Sequence, residues 1–584
     1  MTAPLPMTFE PAERLEAHLG DPLESTSPLS FAAAVARDEG DVYPAEAMNV
    51  LDDWGLCDHY VPAELGGALR QYETAQALVR VVARRDVTTA VAHAKTYLGS
   101  SPVWVSGSAG QRARVAELVR SRRRVSLALT EELHGSDLVA GDVVAERSSD
   151  GWRLHGAKWA ISNATRGHAL SVLARTDAAG GPRGLSVFFV DKSALPAGTF
   201  SNTRRLKTHG VRGADISGIR FDDAPVSADD LVGEPGAGLE IVLKSLQISR
   251  GLVGALSLGA GDTALRATLA FARSRRLYGD ALTAIPYVRH VLTTALVDLL
   301  MCECVSIGAC RLLHHCPEVM ASVSAVAKYF VPTMVEDVTR RLAVVLGARY
   351  YLREGHWAGI FEKMLRDAAL VSLFDGSTVV NLSALGVQLR LWAIRRGSAP
   401  PCPVEGLFDL RREAPPFSPS RLVLVHNGPH EVIESLAAWD EREIAEAAVE
   451  DDVRAALLRA RPVLAGELER LAADMRAATT SPAPGFARSP ELFALARRYC
   501  DLYAAASCLL AWRANRTGET SFIARGDWLA LALGRVLESL GRDVAVAPSV
   551  EERTWSQLLE LDEDDRLFSL VPLRVASARA VQRR

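Results

Sequence analysis

One stretch of the sequence sets a carboxylate in unusual company. In 371-VSLFDGSTVVN-381, Asp375 stands between Phe374 and Gly376, with the hydroxyl residues Ser377 and Thr378 behind it and apolar residues on both sides. An acid so surrounded is poorly solvated, and desolvation makes a carboxylate a stronger base. The chemistry open to such a group is that of a general base in a dry site. Leu373, Phe374, Val379 and Val380 are expected to wall its dry pocket. The plainer alternative is a turn or helix-capping acid before a glycine.

A second cluster is 302-CECVSIGACRLLHHC-316, where cysteines gather around His314 and His315. It has no CxxC pair and lies in a long apolar-periodic helix. Zinc sites want tighter ligand spacing, and free cysteine is often simply buried. No metal is expected.

The elements that must position Asp375 follow from the patterning. The chain has 584 residues, too long for one core. Residues 1–125 alternate apolar and polar at helical spacing, as in 72-YETAQALVRVVARR-85. From 126 to 235 the period becomes two, as in 141-GDVVAERSSDGWRLHGAKWAIS-162, which reads as two strands joined at Asp150-Gly151. Residues 236–397 return to long helices over 238–274, 284–314, 318–346 and 361–374, which implies a four-helix bundle. A Pro/Gly/Ser-rich linker spans 398–425, and 426–584 is a further helical region divided by a loop at 480–490. The fold class expected is therefore α+β, mostly α: an N-terminal helical domain, a central antiparallel β domain, a four-helix bundle and an additional C-terminal helical domain.

Net charge is −4, with no basic excess to favour nucleic acid or an anionic membrane. The first thirty residues show no signal-like pattern, and no eighteen-residue window is uniformly apolar. Eight cysteines are sparse and unpatterned for a disulfide scaffold. A cytoplasmic location without membrane contact is the expectation.

The joints of this order carry recognisable text: 127-LALTEELHGSDL-138, 156-GAKWAISNA-164, 209-HGVRGADISGIRFDDAPVSADDLVGEPGAGLEI-241, 271-FARSRRLYGDAL-282 and 364-MLRDAALVSLFDGST-378. Together, and in this order, they resemble the acyl-CoA dehydrogenase family of flavoproteins over roughly residues 30–395. The extension past residue 400 resembles the longer, very-long-chain branch, whose members are dimers.

The resemblance implies FAD between the β domain and the bundle, partly against a neighbouring subunit. Leu127, Leu129 and Thr130 of the first strand, Gly135 and Ser136 of its turn, and Ile161 and Ser162 of the next strand would then approach flavin and substrate. Arg275 and Tyr278 match pyrophosphate and adenine contacts, and Gly347 a loop near the neighbouring subunit's FAD. Ser377 and Thr378 match the hydroxyl pair behind the catalytic acid. That acid, usually Glu, takes the α-proton of an acyl thioester while hydride leaves the β-carbon for flavin N5. Here it is Asp375, whose own N–H would polarise the thioester carbonyl. The other family position for the base, one residue before helix Arg250, is Ser249. Catalytic roles are thus expected of Asp375 and Arg250.

The expected function is FAD-dependent α,β-dehydrogenation of an acyl thioester on CoA or an acyl carrier protein. A separate acceptor, such as an electron-transfer flavoprotein, would take the electrons, and the chain would form a homodimer, with a specialised biosynthetic role favoured. The sequence also departs from the family pattern: Ala160 stands for a flavin-packing aromatic, Pro286 and Val344 for glutamines, Ala348 for a glycine and Gln247 for an acid. Two rivals follow. One is a flavin oxidase of the same fold, resembling nitroalkane oxidases, which use Asp as base but also an Arg where this chain has Leu382. The other is a flavin-depleted binding or partner subunit.

Overall fold

The structure is a computed structural model that describes residues 6–396, 404, 406–426, 431–480, 489–516 and 522–577. The first helices are α1 (Glu10–Leu19), α2 (Phe31–Glu39), α3 (Ala45–Trp54), α4 (Tyr72–Ala83), α5 (Val87–Ser106) and α6 (Ala109–Arg120). Their starts are set by local chemistry. Asp86 caps α5 by accepting from the N–H of Thr88, and Ser108 with Gln111 forms a reciprocal capping box on α6.

The period-two region forms β1 (Val125–Ala128), β2 (Val144–Ser148), β3 (Gly151–Ser162), β4 (Ala169–Arg175), β5 (Leu185–Asp191), β6 (Phe200–Thr203), β7 (Ile216–Ser227) and β8 (Leu231–Val232). Their order is β6-β7-β3-β2-β4-β5-β8, with β1 on β4. The sheet is not antiparallel throughout as expected. β1 runs parallel to β4, with Val125 opposite Ala169, because β1 enters directly from the helical domain rather than from a hairpin. Trp152, Leu154, Phe188 and Ile219 give the sheet an apolar core of its own.

After a two-strand ribbon, β9 (Arg276–Leu277) and β10 (Asp280–Ala281), set between α7 (Gly238–Ser274) and α8 (Pro286–His315), come α9 (Met320–Leu346), α10 (Ile360–Val371) and α11 (Thr378–Arg395). Expectation and structure differ here. The helix foreseen over 361–374 stops at Val371, and a separate helix begins at Thr378. The break holds Asp375. The apolar windows of α7 and α8 are long enough to cross a membrane, but 83% and 100% of them are buried. Cys302, Cys304 and Cys310 lie on α8, buried and free. Cys316 is disulfide-bonded, which the sparse cysteine usage did not foretell.

The last helices are α12 (Glu431–Glu434), α13 (Glu441–Ala445), α14 (Asp451–Thr480), α15 (Pro490–Asn515), α16 (Asp527–Ser539) and α17 (Pro548–Glu563). α15 packs on α8 and α11, while α16 and α17 pack on α8. The loop read at 480–490 falls largely outside the described residues. So does the start of the 398–425 segment, whose described part is a strap rather than a free linker. Leu407, Phe408 and Leu422 are buried. Gln71 donates to the Ala414 carbonyl at 2.9 Å, His314 to Pro415 at 2.8 Å and Gln247 to Val423 at 2.8 Å.

Candidate active site

Asp375 sits in a six-residue turn between α10 and α11. The N–H of Thr378 donates to the Ser372 carbonyl at 3.1 Å and closes the turn. The α11 cap is Ser377, which accepts from the N–H of Val380. Asp375 therefore caps nothing. Arg250 of α7 donates from Nε to the Asp375 carbonyl at 3.0 Å, and Asn381 donates to the Gly376 carbonyl at 2.8 Å. Gly376 has φ +99°, a backbone conformation that favours glycine, and a Cβ there would also push against Arg250 Nη2 at 2.6 Å. Asp375 itself is left-handed, with φ +54°, a region that Asp enters more readily than most residues.

Asp375 lines a cavity between α4, α5 and α7. Its wall is mostly apolar: Ala75, Val79, Val91, Leu98, Leu252 and Leu256. Of the expected wall, only Phe374 lines it. Leu373 and Val379 are 63% and 61% exposed, because the turn points them away from the bundle. The backbone N–H of Asp375 donates to no other described residue.

The main surprise is a partner. Lys95 of α5 is buried, with Nζ 2.8 Å from Asp375 Oδ2 and 3.9 Å from the centre of the Phe374 ring. A second buried lysine, Lys328 of α9, donates to the Val371 carbonyl and lies 5.1 Å from the same ring. Burial lowers the pKa of Lys95, opposed by the Asp375 charge. Burial also pulls Arg250 down to about 10. Lys328 falls to about 7, by burial first and then by repulsion from Arg250 and Lys95, against attraction from Asp375. Both lysines left a signal in the sequence: each is the sole lysine or arginine in an apolar helical stretch, in 90-AVAHAKTYL-98 and 323-VSAVAKYFV-331.

The Lys328 shift has a measurable consequence. Its folded pKa lies below the ordinary 10.5, so between about pH 7 and 10.5 the unfolded chain binds more protons than the folded one. Stability must then rise with pH across that window. The slope contributed is at most about 1.4 kcal/mol per pH unit. Lys328→Met should flatten it, and urea unfolding at pH 7 and pH 9 checks this. An unchanged difference between the two pH values would place the Lys328 pKa near its ordinary value.

Deeper in the wall, Tyr60 donates to or accepts from His93 Nδ1 at 2.7 Å, and His93 Nε2 meets Asp52 at 3.1 Å. Asp52, Cys57 and His93 have metal-like spacing. However, Arg124 lies 2.5 Å from Asp52 and 3.3 Å from Cys57 Sγ, so its guanidinium takes the cation's place.

The residues expected to meet FAD lie on β1 and the loop after it, at the end of β3, at the β9–β10 ribbon, just after α9 and, for Ser377 and Thr378, at the start of α11. The Thr130 carbonyl pairs with the Trp159 N–H at 2.8 Å, joining the first two segments. Gly135, Ser136, Arg275 and Gly347 are exposed, Tyr278 is 93% exposed, and Leu127, Leu129, Thr130 and Ser162 are half-buried. Only Ile161 turns its side chain inward, leaving its backbone on the strand. A Cβ at Gly135 or Gly347 would meet nothing within 4 Å. Among the described residues, Arg275 forms no ion pair, and no hydrogen bond engages the hydroxyls of Thr130, Ser136 or Ser162. Open space, free hydroxyls and a free guanidinium fit a dinucleotide cofactor. Ala160, with φ +54° at a break in the β3–β7 register, supplies no ring to pack on it.

Comparison with known proteins agrees with this geometry. Models of the acyl-CoA dehydrogenase N-terminal, middle and C-terminal domains match residues 29–121, 126–224 and 236–389. The human mitochondrial short-chain specific acyl-CoA dehydrogenase is 27% identical over 354 residues, which is 60% of this chain and 84% of that protein. Among solved structures, butyryl-CoA dehydrogenase from Megasphaera elsdenii aligns with a TM-score of 0.61 at 22% identity, covering 67% of this chain and all of that one. The prolyl acyl carrier protein oxidase AnaB aligns at 0.60 and 19% identity, covering 66% and 99%. The break between α10 and α11, the apolar cavity it faces and three consecutive matched domains place this chain in the acyl-CoA dehydrogenase family of oxidoreductases.

Proposed function

We propose that the chain is an FAD-dependent dehydrogenase of acyl thioesters in which Asp375 removes the α-proton. The observation that carries this is Asp375 on a glycine-favouring turn at an apolar cavity, with its own N–H uncommitted beside it. That N–H is available to polarise the thioester carbonyl as negative charge develops on it. The apolar wall excludes water from the acyl chain. Arg250 acts as a positioning residue, holding the Asp375 backbone so that the residue stays at the cavity. When bound, FAD would supply the hydride acceptor, held by Thr130, Ser162 and Arg275.

The thioester carrier is CoA or an acyl carrier protein, the latter in keeping with the name of the AnaB oxidase. An electron-transfer flavoprotein is the proposed acceptor. A second copy of the chain is the proposed partner, supported by exposed Val344 and Tyr351 beside Gly347, whose loop is matched to the neighbouring subunit's FAD, and by exposed Leu277 and Tyr278 in the segment matched to cofactor contacts.

The test is an anaerobic absorbance titration of FAD-loaded protein with acyl-CoA and acyl-carrier-protein panels. Bleaching of the flavin band by one acyl group is the expected result. Bound flavin that no thioester bleaches would point to another oxidisable substrate, and a protein that takes up no flavin would overturn the reading.

A further inference from the structure

Three buried basic side chains surround the Asp375 turn, and one of them meets its carboxylate: Lys95 bonds Oδ2 at 2.8 Å, while Arg250 bonds the Asp375 backbone carbonyl and Lys328 the Val371 carbonyl. For Lys95, Asp375 is the acid that offsets burial. The other polar groups of the cavity wall are already occupied. Tyr60 is bonded to His93, Tyr97 to Tyr72 at 2.9 Å, and Ser249 to the Leu246 carbonyl at 3.2 Å. Lys95 is different. An ammonium has three donors, and its protein contacts are Asp375 Oδ2 and the face of Phe374.

Proton abstraction turns this pairing into a problem. The C–H bond at Cα breaks, its electron pair stays on the acyl group, and the proton moves to Asp375. The carboxyl becomes neutral, and Lys95 loses its counter-charge inside an apolar wall. Leaving one partner of a buried pair uncompensated is costly. The negative charge passes from Asp375 to the thioester carbonyl and on to the hydride acceptor, and beyond that carbonyl a plain aliphatic chain brings no acceptor of its own to Lys95. An oxygen on the acyl group near the reacting carbons would accept the bond that Lys95 gives up. The apolar wall beyond Lys95, formed by Val79, Val91, Leu252 and Leu256, suits a hydrocarbon tail.

We infer that Lys95 is a specificity-determining residue, and that the acyl group carries an acceptor oxygen within its first few carbons followed by an apolar tail. This rests on the thioester reading above. It separates this chain from a dehydrogenase of unsubstituted fatty acyl groups.

The test uses redox-inert thioethers of pantetheine, which both carriers share, bearing octyl, 4-hydroxyoctyl or 4-carboxyoctyl chains. Calorimetric titration of the purified protein needs no flavin turnover. One of the two oxygenated analogues should bind at least about tenfold more tightly than octyl. The winner says whether the acceptor is neutral or anionic. Lys95→Met should erase the preference, and Lys95→Arg should keep most of it. Equal or tighter binding of the octyl analogue overturns the inference while leaving the thioester reading intact, and so does a preference that survives in Lys95→Met. If none of the three binds, both fall together.

Discussion

Asp375→Asn is expected to lower the rate of flavin reduction by at least about a thousandfold while leaving acyl-thioester binding within a few fold of the parent. A positioned general base is worth about a hundred to ten thousandfold. The amide cannot take the proton, but it keeps the shape of the carboxylate. Asn also tolerates the left-handed φ of +54° found there, so the turn should survive. The longer carboxylate is the more informative variant. Asp375→Glu would restore the residue usual in the family, yet it should not help. Lys95 Nζ already lies 2.8 Å from Oδ2, and another methylene would drive the carboxylate past or into it. Misplacement by about one ångström costs around a hundredfold, so a ten- to hundredfold loss is expected. Stopped-flow measurement of flavin bleaching decides both cases. A faster Glu variant would mean that the cavity is built for the longer acid and that Lys95 is mobile. An Asn variant with parental rate would remove Asp375 from the chemistry.

How much of this could be read from the sequence depends on the range of the interactions. Asp375, Gly376 and their hydroxyl neighbours announce themselves locally, because a turn acid in an apolar run is legible within a few residues. The change of period near Val125 marks β1 for the same reason. What escapes is long-range. Lys95 meets Asp375 across 280 residues of chain, and the packing of α5 and α10 against α7 brings them together. The lone lysine in an apolar helix is visible, but not its partner. The end of α10 is misplaced by three residues, because Leu373 and Phe374 continue the apolar pattern of the helix that stops at Val371. The turn at Gly376 interrupts it. The strap at 404–426 reads as a linker from its prolines, since its anchors, Gln71, His314 and Gln247, lie far away in sequence.

The same long-range logic sets the second large effect. Arg80 of α4 holds Asp262 of α7 with two bonds, at 2.7 and 2.9 Å, and Glu303 of α8 at 2.6 Å. Glu303 also accepts from the Ser569 hydroxyl and, at 2.7 Å, from the Leu570 N–H. One guanidinium thus joins the N-terminal helices, the bundle and the C-terminal segment. Every partner is buried. Arg80→Met replaces the cation with a chain of similar volume and leaves two carboxylates facing each other out of water. Breaking a buried pair in this way costs about 3–5 kcal/mol, and a second stranded acid should put this variant at the upper end. The relief is specific. Adding Asp262→Asn and Glu303→Gln removes both stranded charges, and the Gln amide can accept from the Leu570 N–H with its oxygen while its NH2 donates to the Ser569 hydroxyl. The triple variant should therefore recover more than half of the loss. Urea unfolding of the three proteins measures both numbers. Limited proteolysis adds a local reading, since release of Glu303 should open the chain around 566–576 before the bundle unfolds. An Arg80→Met protein less than about 1 kcal/mol below the parent would show that the three groups are held together by packing alone.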